Sequence, residues 1–291
     1  MSMDQVLNIV ALVTLGELMF YVGLSASVPD FVETLRDAKV VGQGILANYV
    51  LVPAVTLGFI MVFRPHPLVG VGILLLGVCP AGPYGPPYAA IAKANVGQAA
   101  GLMIVLAGFA PLLSPALLHV LTPIVSGDQA VHVNVLNVVQ TLLVGQVLPL
   151  LAGLAVNHWE PQLAAKWVKP AGQLTKLLNL VFLTLVFYTQ FDSLLKIRFF
   201  EFIGLLLLTI SSVAMGWVLG GPDRAGRKGM ALTTGVRNNG LGVAIATGSF
   251  AGTPAVAAAA VFGVVGILST LVFAVVWGKL AQASAPGGVP A

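Results

Sequence analysis

The stretch TTGVRNNGLGVAIATG, residues 233–248, places Arg237, Asn238 and Asn239 inside an otherwise apolar segment. A glycine stands near either end of this polar triplet, and an alanine- and glycine-rich run follows it. A charged side chain near the centre of a membrane helix costs about 2.5–3.5 kcal/mol on insertion scales, so it persists where another interaction offsets that cost. The stretch therefore predicts a membrane helix that is interrupted at a functional site.

The rest of the chain has the composition of a membrane protein. Of its 291 residues, 58% are hydrophobic and 8% are charged, whereas soluble domains carry about 25% charged residues. Apolar runs of about 20 residues, enough for a helix to cross the hydrocarbon layer, recur along the chain. The basic residues form no run, which argues against a nucleic-acid partner. The composition predicts an all-α polytopic membrane protein, and nothing in it indicates a cofactor or a soluble protein partner.

Nine transmembrane helices are predicted, joined by connections too short for a soluble domain. Residues 1–280 are therefore expected to form a single transmembrane unit, and residues 281–291 a disordered tail. The predicted spans lie at about 6–27, 39–63, 67–93, 98–122, 132–156, 173–191, 199–220, 229–251 and 254–278.

The distribution of lysine and arginine predicts the orientation, because loops rich in these residues stay in the cytoplasm. Arg64, Lys196 and Arg198 lie on one side, and Arg237 lies within span 8. The other side holds ten basic residues, namely Arg36, Lys39, Lys93, Lys166, Lys169, Lys176, Arg224, Arg227, Lys228 and Lys279. This bias predicts a protein of the cytoplasmic (inner) membrane with its N-terminus outside and its C-terminus in the cytoplasm.

A second interrupted helix is predicted in span 3. Its segment CPAGPYGPPY, residues 79–88, contains four prolines, and each proline removes a backbone donor and clashes with the preceding helical turn. The three-span blocks at about 39–122 and 199–278 each carry the interrupted helix in the middle and enter the membrane in opposite orientations. Paired interrupted helices in inverted repeats are typical of secondary transporters with a site near the bilayer midplane.

Four segments carry a family resemblance: YVGLSASVPDF in span 1, ANYVLVP in span 2, CPAG followed by YAAIAKANV in span 3, and GVRNNGLGVAIA in span 8. Together they resemble the bile acid:sodium symporter superfamily in its nine-span form. The resemblance implies that the two broken helices cross near the substrate site. It also implies a core domain of about 39–122 and 199–278 and a panel domain of about 6–27 and 132–191. Known family substrates are organic anions, including bile acids, sulfated steroids and small carboxylates.

The chain departs from the family pattern at the positions that bind sodium in sodium-coupled members. The first crossing helix of such members typically carries a Ser-Asn pair after CPGG, where this chain has Gly85 and Pro86. The second typically carries a Glu and, four residues on, a Gln-Asn pair, where this chain has Thr233, Arg237 and Asn238. The carboxylate is absent and a guanidinium replaces one amide, which argues against sodium coupling through the family's sites.

Two interpretations of Arg237 remain open. In the functional one, its guanidinium takes the sodium position as a fixed cation and attracts an anionic substrate group, since its five donors suit a carboxylate or a sulfate. In the structural one, it caps carbonyls of the break or pairs with Glu17. Glu17 in span 1 is a candidate for proton coupling or for a counter-ion of Arg237. The alternative is a carboxylate that faces a water-filled crevice or is kept neutral by burial. Asn48 in span 2 matches an amide ligand of the family's ion site.

The predicted substrate site consists of residues at the two breaks, namely Gly82, Pro83, Gly85, Pro86, Thr233, Thr234, Arg237, Asn238 and Asn239. The candidates for ion or proton coupling are Glu17, Asn48 and Thr233. These residues predict a secondary transporter of a small or amphipathic organic anion that works by alternating access. The predicted mode is sodium-independent, as anion exchange, facilitated flux or proton coupling. A sodium-coupled organic anion symporter with rebuilt ion sites is the alternative.

Other classes of protein match the sequence less well. A simple channel has no need of paired breaks, and a sensor would need an output domain. An enzyme would need a nucleophile, a metal cluster or an acid–base pair, and the sequence offers no such set. Cys79 beside the first break suggests the arsenite-transporting relatives, but CPAG matches the organic-anion branch better. Gln140 and Gln146 in span 5 are expected to hydrogen-bond between helices rather than to face the cavity.

Overall fold

The fold is described from a computed structural model, which describes residues 3–127, 133–194 and 199–283. Over these residues the chain forms helices throughout. They are α1 (Met3–Ser25), α2 (Val28–Arg36), α3 (Ala38–Phe63), α4 (Pro67–Gly77), α5 (Gly85–Ile91), α6 (Val96–Ser126), α7 (Val135–Trp159), α8 (Pro161–Leu194), α9 (Phe199–Leu219), α10 (Arg224–Gly235), α11 (Asn239–Ser249) and α12 (Pro254–Ala283). The predictions for the start of span 5, for Lys196 and Arg198, and for 284–291 lie outside the described residues.

Seven of the described helices are long and apolar enough to cross a membrane: α1, α3, α6, α7, α8, α9 and α12. The predicted spans 3 and 8 are each divided into two shorter helices, α4 with α5 and α10 with α11. This confirms the all-α polytopic class. The count of nine spans stays a prediction, because the divided helices do not cross a membrane individually by length.

Two predicted boundaries are wrong. The sixth span was expected at 173–191, but α8 begins twelve residues earlier, at Pro161. Proline is tolerated in the first turn of a helix, and the added turns carry exposed polar residues such as Lys166 and Lys169. Hydropathy marks the apolar part of this helix and misses the polar continuation. For the same reason α12 runs to Ala283, so residues 281–283 of the predicted tail are helical.

The short helix α2 was not predicted. The hydroxyl of Ser27 accepts a hydrogen bond from the Asp30 amide at the start of this helix, and a proline follows in the first turn. Thr34, which is 5% exposed, packs against Gly101 of α6. A capping residue followed by proline is a start signal that the sequence did contain.

The helices pack in two groups. Helices α1, α7 and α8 pack against one another, while the interrupted helices pack mainly against α3, α6, α9 and α12. Contacts of α1 with α11 and of α8 with α12 join the two groups. The predicted division into a core and a panel domain stays a prediction, but the interrupted helices lie where these groups meet.

Two long helices contain a widened π-helical turn, at Ala47–Leu51 in α3 and at Leu143–Val147 in α7. Each turn is followed within two residues by a proline, which lacks an N–H group to donate to the preceding turn. Single π turns inside α-helices are frequent at functional sites. Here each turn contains one buried amide side chain that reaches the interrupted helices, Asn48 in α3 and Gln146 in α7.

Candidate functional site

The two interrupted helices cross at their breaks. The break between α4 and α5 lies against the break between α10 and α11. The backbone N–H of Asn238 donates a hydrogen bond to the Cys79 carbonyl over 3.0 Å. A Cβ atom at Gly82 would lie 2.7 Å from the Arg237 carbonyl oxygen and 2.8 Å from that of Val236. The two backbones therefore approach each other as closely as glycine permits.

Arg237 is 3% exposed and holds the end of α4. Its Nε donates to the Leu76 carbonyl over 3.0 Å, and one terminal nitrogen donates to the Gly77 carbonyl over 2.7 Å. The other terminal nitrogen donates to Asn48 Oδ1 over 2.8 Å. The last carbonyls of a helix lack partners within it and carry partial negative charge. The guanidinium thus caps the break, which is the geometry of the structural interpretation.

Asn48 is oriented for this contact by its own hydrogen bonds. Its Nδ2 donates to the Gly44 carbonyl over 3.0 Å and to the Thr234 hydroxyl over 3.2 Å, which directs Oδ1 towards Arg237. In this structure the Asn48 side chain therefore accepts a hydrogen bond from the Arg237 guanidinium. Its role as an ion ligand stays a prediction.

Glu17 lies elsewhere, between α1 and α8. The Thr175 hydroxyl lies 2.8 Å and 3.0 Å from the two carboxylate oxygens of Glu17 and donates to them. The oxygens that accept from Arg237 belong to Leu76, Gly77 and Asn48. The structure thus brings Glu17 to Thr175 and not to Arg237, while its role in proton coupling stays a prediction.

Asn238 links the second break to α7. Its Oδ1 accepts from the Leu241 amide over 3.1 Å and so caps α11, and its Nδ2 donates to Gln146 Oε1 over 3.0 Å. Gln146 in turn donates to the Ala107 carbonyl of α6 over 3.2 Å. These bonds confirm the predicted interhelical role of Gln146, and they tie three helices to the crossing. Gln140 is exposed, and the same role stays a prediction for it.

The residues at the family's sodium positions do not fit a hard cation, which prefers several oxygen ligands. Gly85 and Pro86 offer no side-chain oxygen. The Thr233 hydroxyl is buried and has no hydrogen-bond partner within the described ranges, and a Cβ atom at Gly85 would lie 3.1 Å from it. A cation here would have one hydroxyl and no carboxylate, with Arg237 four residues further along the chain, beyond the end of α10 at Gly235. Among the described residues, no group of three or more His, Cys, Asp or Glu side chains could hold a metal ion.

A cavity of about 140 Å³ lies beside the crossing, between α1 and α8 on one side and the two breaks and α12 on the other. Its polar lining comes from Thr14, Tyr84, Asn179 and Asn239. The Tyr84 hydroxyl donates to Asn179 Oδ1 over 3.0 Å. Thr14 Oγ1 and Asn239 Oδ1 are buried and have no hydrogen-bond partner among the residues that the structure describes, although such groups are normally hydrogen-bonded. We call this cavity the crossover pocket; Thr14 and Asn239 line it, and their two unpartnered oxygens lie beside it with almost no exposed surface.

The crossover pocket contains part of the predicted substrate site. Pro83 and Asn239 line it. The lining of this cavity does not include the other predicted residues, namely Gly82, Gly85, Pro86, Thr233, Thr234, Arg237 and Asn238. Their role in substrate binding stays a prediction. Thr14, Tyr84 and Asn179 were missed, although a polar residue within an apolar span was a signal that pointed to them.

Replacing Gly263 by alanine is expected to displace Asn239 from the crossover pocket. A Cβ atom at Gly263 would overlap the Asn239 amide group, with Nδ2 at 2.6 Å. Because a side chain can move, the protein should fold, while uptake of its substrate falls at least tenfold. The matched control is Gly266→Ala on the same helix, whose new Cβ would meet ordinary contacts at 3.8 Å and 4.0 Å. Equal uptake by both variants would contradict a role of Asn239 in binding.

Comparison with known proteins gives a consistent result. The profile of a family described as Sodium Bile acid symporter family matches residues 12–197. The chain is 27% identical over 278 residues to the uncharacterized sodium-dependent transporter YocS of Bacillus subtilis, covering 91% of this chain and 82% of that protein. It is 24% identical over 245 residues to the probable sodium/metabolite cotransporter BASS2 of Oryza sativa subsp. japonica, a chloroplast protein. That match covers 82% of this chain and 56% of the rice protein.

Proposed function

Because this chain belongs to the Sodium Bile acid symporter family, a family of membrane transporters and not of enzymes, we propose that it carries a small or amphipathic organic anion by alternating access. In this proposal the guanidinium of Arg237 stands where sodium-coupled members bind a sodium ion. The transport is then sodium-independent. The crossover pocket binds the anion.

The observation that carries the proposal is the set of three hydrogen bonds from Arg237 to Leu76, Gly77 and Asn48. All three acceptors are neutral oxygens of the kind that also coordinate a hard cation. A guanidinium that occupies them supplies a positive charge at the crossing without an ion from solution. Since this charge is tethered, it cannot dissociate as sodium does.

The charge at the crossing favours an anion in the crossover pocket. The negative end of the α4 dipole offsets about half of the positive charge of Arg237. The three oxygens that accept hydrogen bonds from Arg237 carry no formal negative charge. The positive end of the α11 dipole adds to this field, because Asn239 and Gly240 at its first turn line the pocket. In a site with little water, such charges act more strongly than they do in solution.

A permanent cation also determines the mode of transport. An empty carrier that keeps its positive charge returns across the membrane less readily than one neutralised by an anion, which favours exchange of one anion for another. Glu17 is the proposed group for proton coupling, because it lies between α1 and α8 and receives a hydrogen bond from Thr175. Loss of pH-dependent uptake in Glu17→Gln would support this role, and an unchanged pH profile would contradict it.

Sodium-coupled symport is the second candidate function. The printed names of both relatives refer to sodium, and the buried hydroxyl of Thr233 has no protein partner in this structure. Backbone carbonyls at the breaks would then have to supply most of the ligands. The two candidates differ in one observable, which is whether anion uptake requires sodium.

The experiment is uptake into liposomes that contain the purified protein. The probes are radiolabelled n-alkylsulfonates of four to ten carbons, because a sulfonate stays charged and does not cross the bilayer as a neutral acid. We expect saturable uptake in sodium-free potassium medium, accelerated by unlabelled sulfonate inside, and no gain when sodium replaces potassium. Uptake that requires sodium would favour symport. No saturable uptake of any member in either medium would contradict the proposed anion class.

We also propose the cytoplasmic membrane as the location, with the N-terminus outside. This orientation is supported by the excess of lysine and arginine at the loops on the other side. Fluorescent protein fused after residue 291 should fold and fluoresce in the cytoplasm. An active periplasmic phosphatase at the same position would contradict this orientation.

A further inference from the structure

We infer that the transported anion carries an alkyl tail, which lies in an apolar groove beside the crossover pocket while its charged head occupies the pocket. This inference rests on the proposed function and deepens it. It commits to one substrate class, which is an amphipathic anion with a flexible hydrocarbon chain. The groove, called the tail groove below, lies between α8, α9 and α12.

The tail groove has a volume of about 410 Å³ and an almost entirely apolar lining. Ser269 is the one residue in its lining with a polar side chain. Its walls are open to the surroundings, since Phe187 of α8 is 48% exposed, Phe202 of α9 is 42% exposed and Val272 of α12 is 62% exposed. These helices belong to the membrane-spanning set, so the groove opens towards lipid.

The tail groove and the crossover pocket are adjacent. Val264 and Leu268 of α12 line both of them. On α8, Phe182 and Leu183 line the pocket, and the groove begins one helical turn further on. A molecule that extends past Val264 and Leu268 therefore passes from the polar cavity into the groove.

The volumes argue for a shared ligand. Sites for small molecules usually measure about 300–1,000 Å³. The crossover pocket, at about 140 Å³, is smaller than that range, whereas pocket and groove together fall within it. The pocket alone has room for a head group, and the adjoining space accepts hydrocarbon.

The polar atoms of the crossover pocket favour this ligand over a membrane lipid that occupies the groove alone. Thr14 and Asn239, which are 2% and 6% exposed, line the pocket, and each has a buried side-chain oxygen with no hydrogen-bond partner in the described part of the chain. A bilayer lipid keeps its head group at the membrane interface, far from the crossing of two interrupted helices. A head group that satisfies Thr14 and Asn239 must enter the pocket, and its tail then points into the groove.

The test compares KM values along the n-alkylsulfonate series in liposomes that contain the full-length protein. For the native chain we expect KM to fall by about fourfold for each methylene that leaves water. Val272 lines the tail groove and is not part of the crossover pocket lining, so Val272→Trp places an indole in the groove. It should raise KM for decanesulfonate at least tenfold relative to KM for butanesulfonate.

The matched control is Val120→Trp on α6. Val120 is 61% exposed, close to the 62% of Val272, but does not line the tail groove. This variant should keep the native ratio of the two KM values. Butanesulfonate uptake by Val272→Trp reports whether that variant is folded and active.

A second measurement locates the tail directly. Decanesulfonate with a diazirine at its last carbon should label the segments of α8, α9 and α12 that line the tail groove, and excess butanesulfonate should prevent the labelling. Labelling that butanesulfonate does not prevent would overturn the inference, because the probe would then be acting as a lipid.

The outcomes also separate this inference from the proposed function. If no alkylsulfonate is taken up saturably, the proposed function fails and the inference fails with it. If butanesulfonate is taken up but KM does not depend on tail length, the inference alone is overturned. The same conclusion follows if Val272→Trp and Val120→Trp give equal KM ratios.

Discussion

Replacing Arg237 by glutamine is expected to lower both stability and transport, and to make stability sensitive to sodium. The shorter, neutral side chain cannot satisfy the carbonyls of Leu76 and Gly77 together with Asn48. The Leu76 carbonyl keeps the backbone N–H of Cys79 as a donor, but the Gly77 carbonyl and Asn48 Oδ1 each lose the donor that Arg237 supplied. Each buried polar group left without a partner costs about 1–3 kcal/mol, so we expect a loss of about 3 kcal/mol and a Tm lower by about 5–10 °C. Anion uptake should fall at least tenfold, because the tethered charge is gone.

The sodium arm of this experiment tests the fixed-cation hypothesis itself. Without the guanidinium, the freed oxygens resemble a cation site, and the glutamine restores a residue that the family resemblance implies there. Binding stabilises the folded state by about 2.7 kcal/mol at 100 times Kd, so Tm of the variant should be higher in sodium than in potassium at equal ionic strength. The native protein should show no such difference.

Two further variants separate charge from geometry. Arg237→Lys keeps the charge but loses the fork of donors, so its Tm should lie between those of the native protein and Arg237→Gln, without sodium dependence. Arg224→Gln removes an exposed charge at the start of the same helix, α10, and should leave both Tm and uptake near the native values. Native uptake and Tm in Arg237→Gln would contradict the hypothesis.

Much of the architecture could be predicted from the sequence, because the relevant signals are local. Apolar runs report on transfer into lipid, and prolines and glycines mark where a helix cannot continue. The interruptions at 79–88 and 233–248 were located in this way. The prediction failed where helices extend beyond the apolar runs. The first turns of α8 are polar, and the short helix α2 is amphipathic, so hydropathy detected neither of them.

The contacts of the site could not be predicted in the same way. Arg237 is separated from Asn48 by 189 residues and from Leu76 by 161, so its partners depend on how the interrupted helices cross. The sequence agreed equally with Arg237 as a substrate contact and with Arg237 as a cap of the break. The crossover pocket likewise combines α1, α8 and α12 with the two breaks, and only packing brings Thr14 and Asn179 to Asn239.

Replacing Gly82 by alanine is expected to disrupt the crossing and with it the fold. The added methyl group would lie 2.7 Å from the Arg237 carbonyl oxygen and 2.8 Å from the Val236 carbonyl oxygen. These are backbone atoms, so no change of rotamer relieves the clash, and the two breaks must separate. Their separation also breaks the hydrogen bond between the Asn238 amide and the Cys79 carbonyl. Overpacking of this kind usually costs about 1–3 kcal/mol and sometimes more, and here we expect the upper end.

Gly108→Ala is the matched control, because no atom lies within 4 Å of the Cβ that it would add. In the interior of α6 this change should be neutral or stabilise by about 0.5–1 kcal/mol, since alanine loses less backbone freedom than glycine. Size-exclusion profiles and Tm in detergent compare the two variants directly. A Gly82→Ala protein with native Tm and uptake would mean that the breaks can separate without loss. The hydrogen bonds to the carbonyls of α4 would then be enough to hold the Arg237 guanidinium in place, and the close crossing of the two breaks would not be needed for its position.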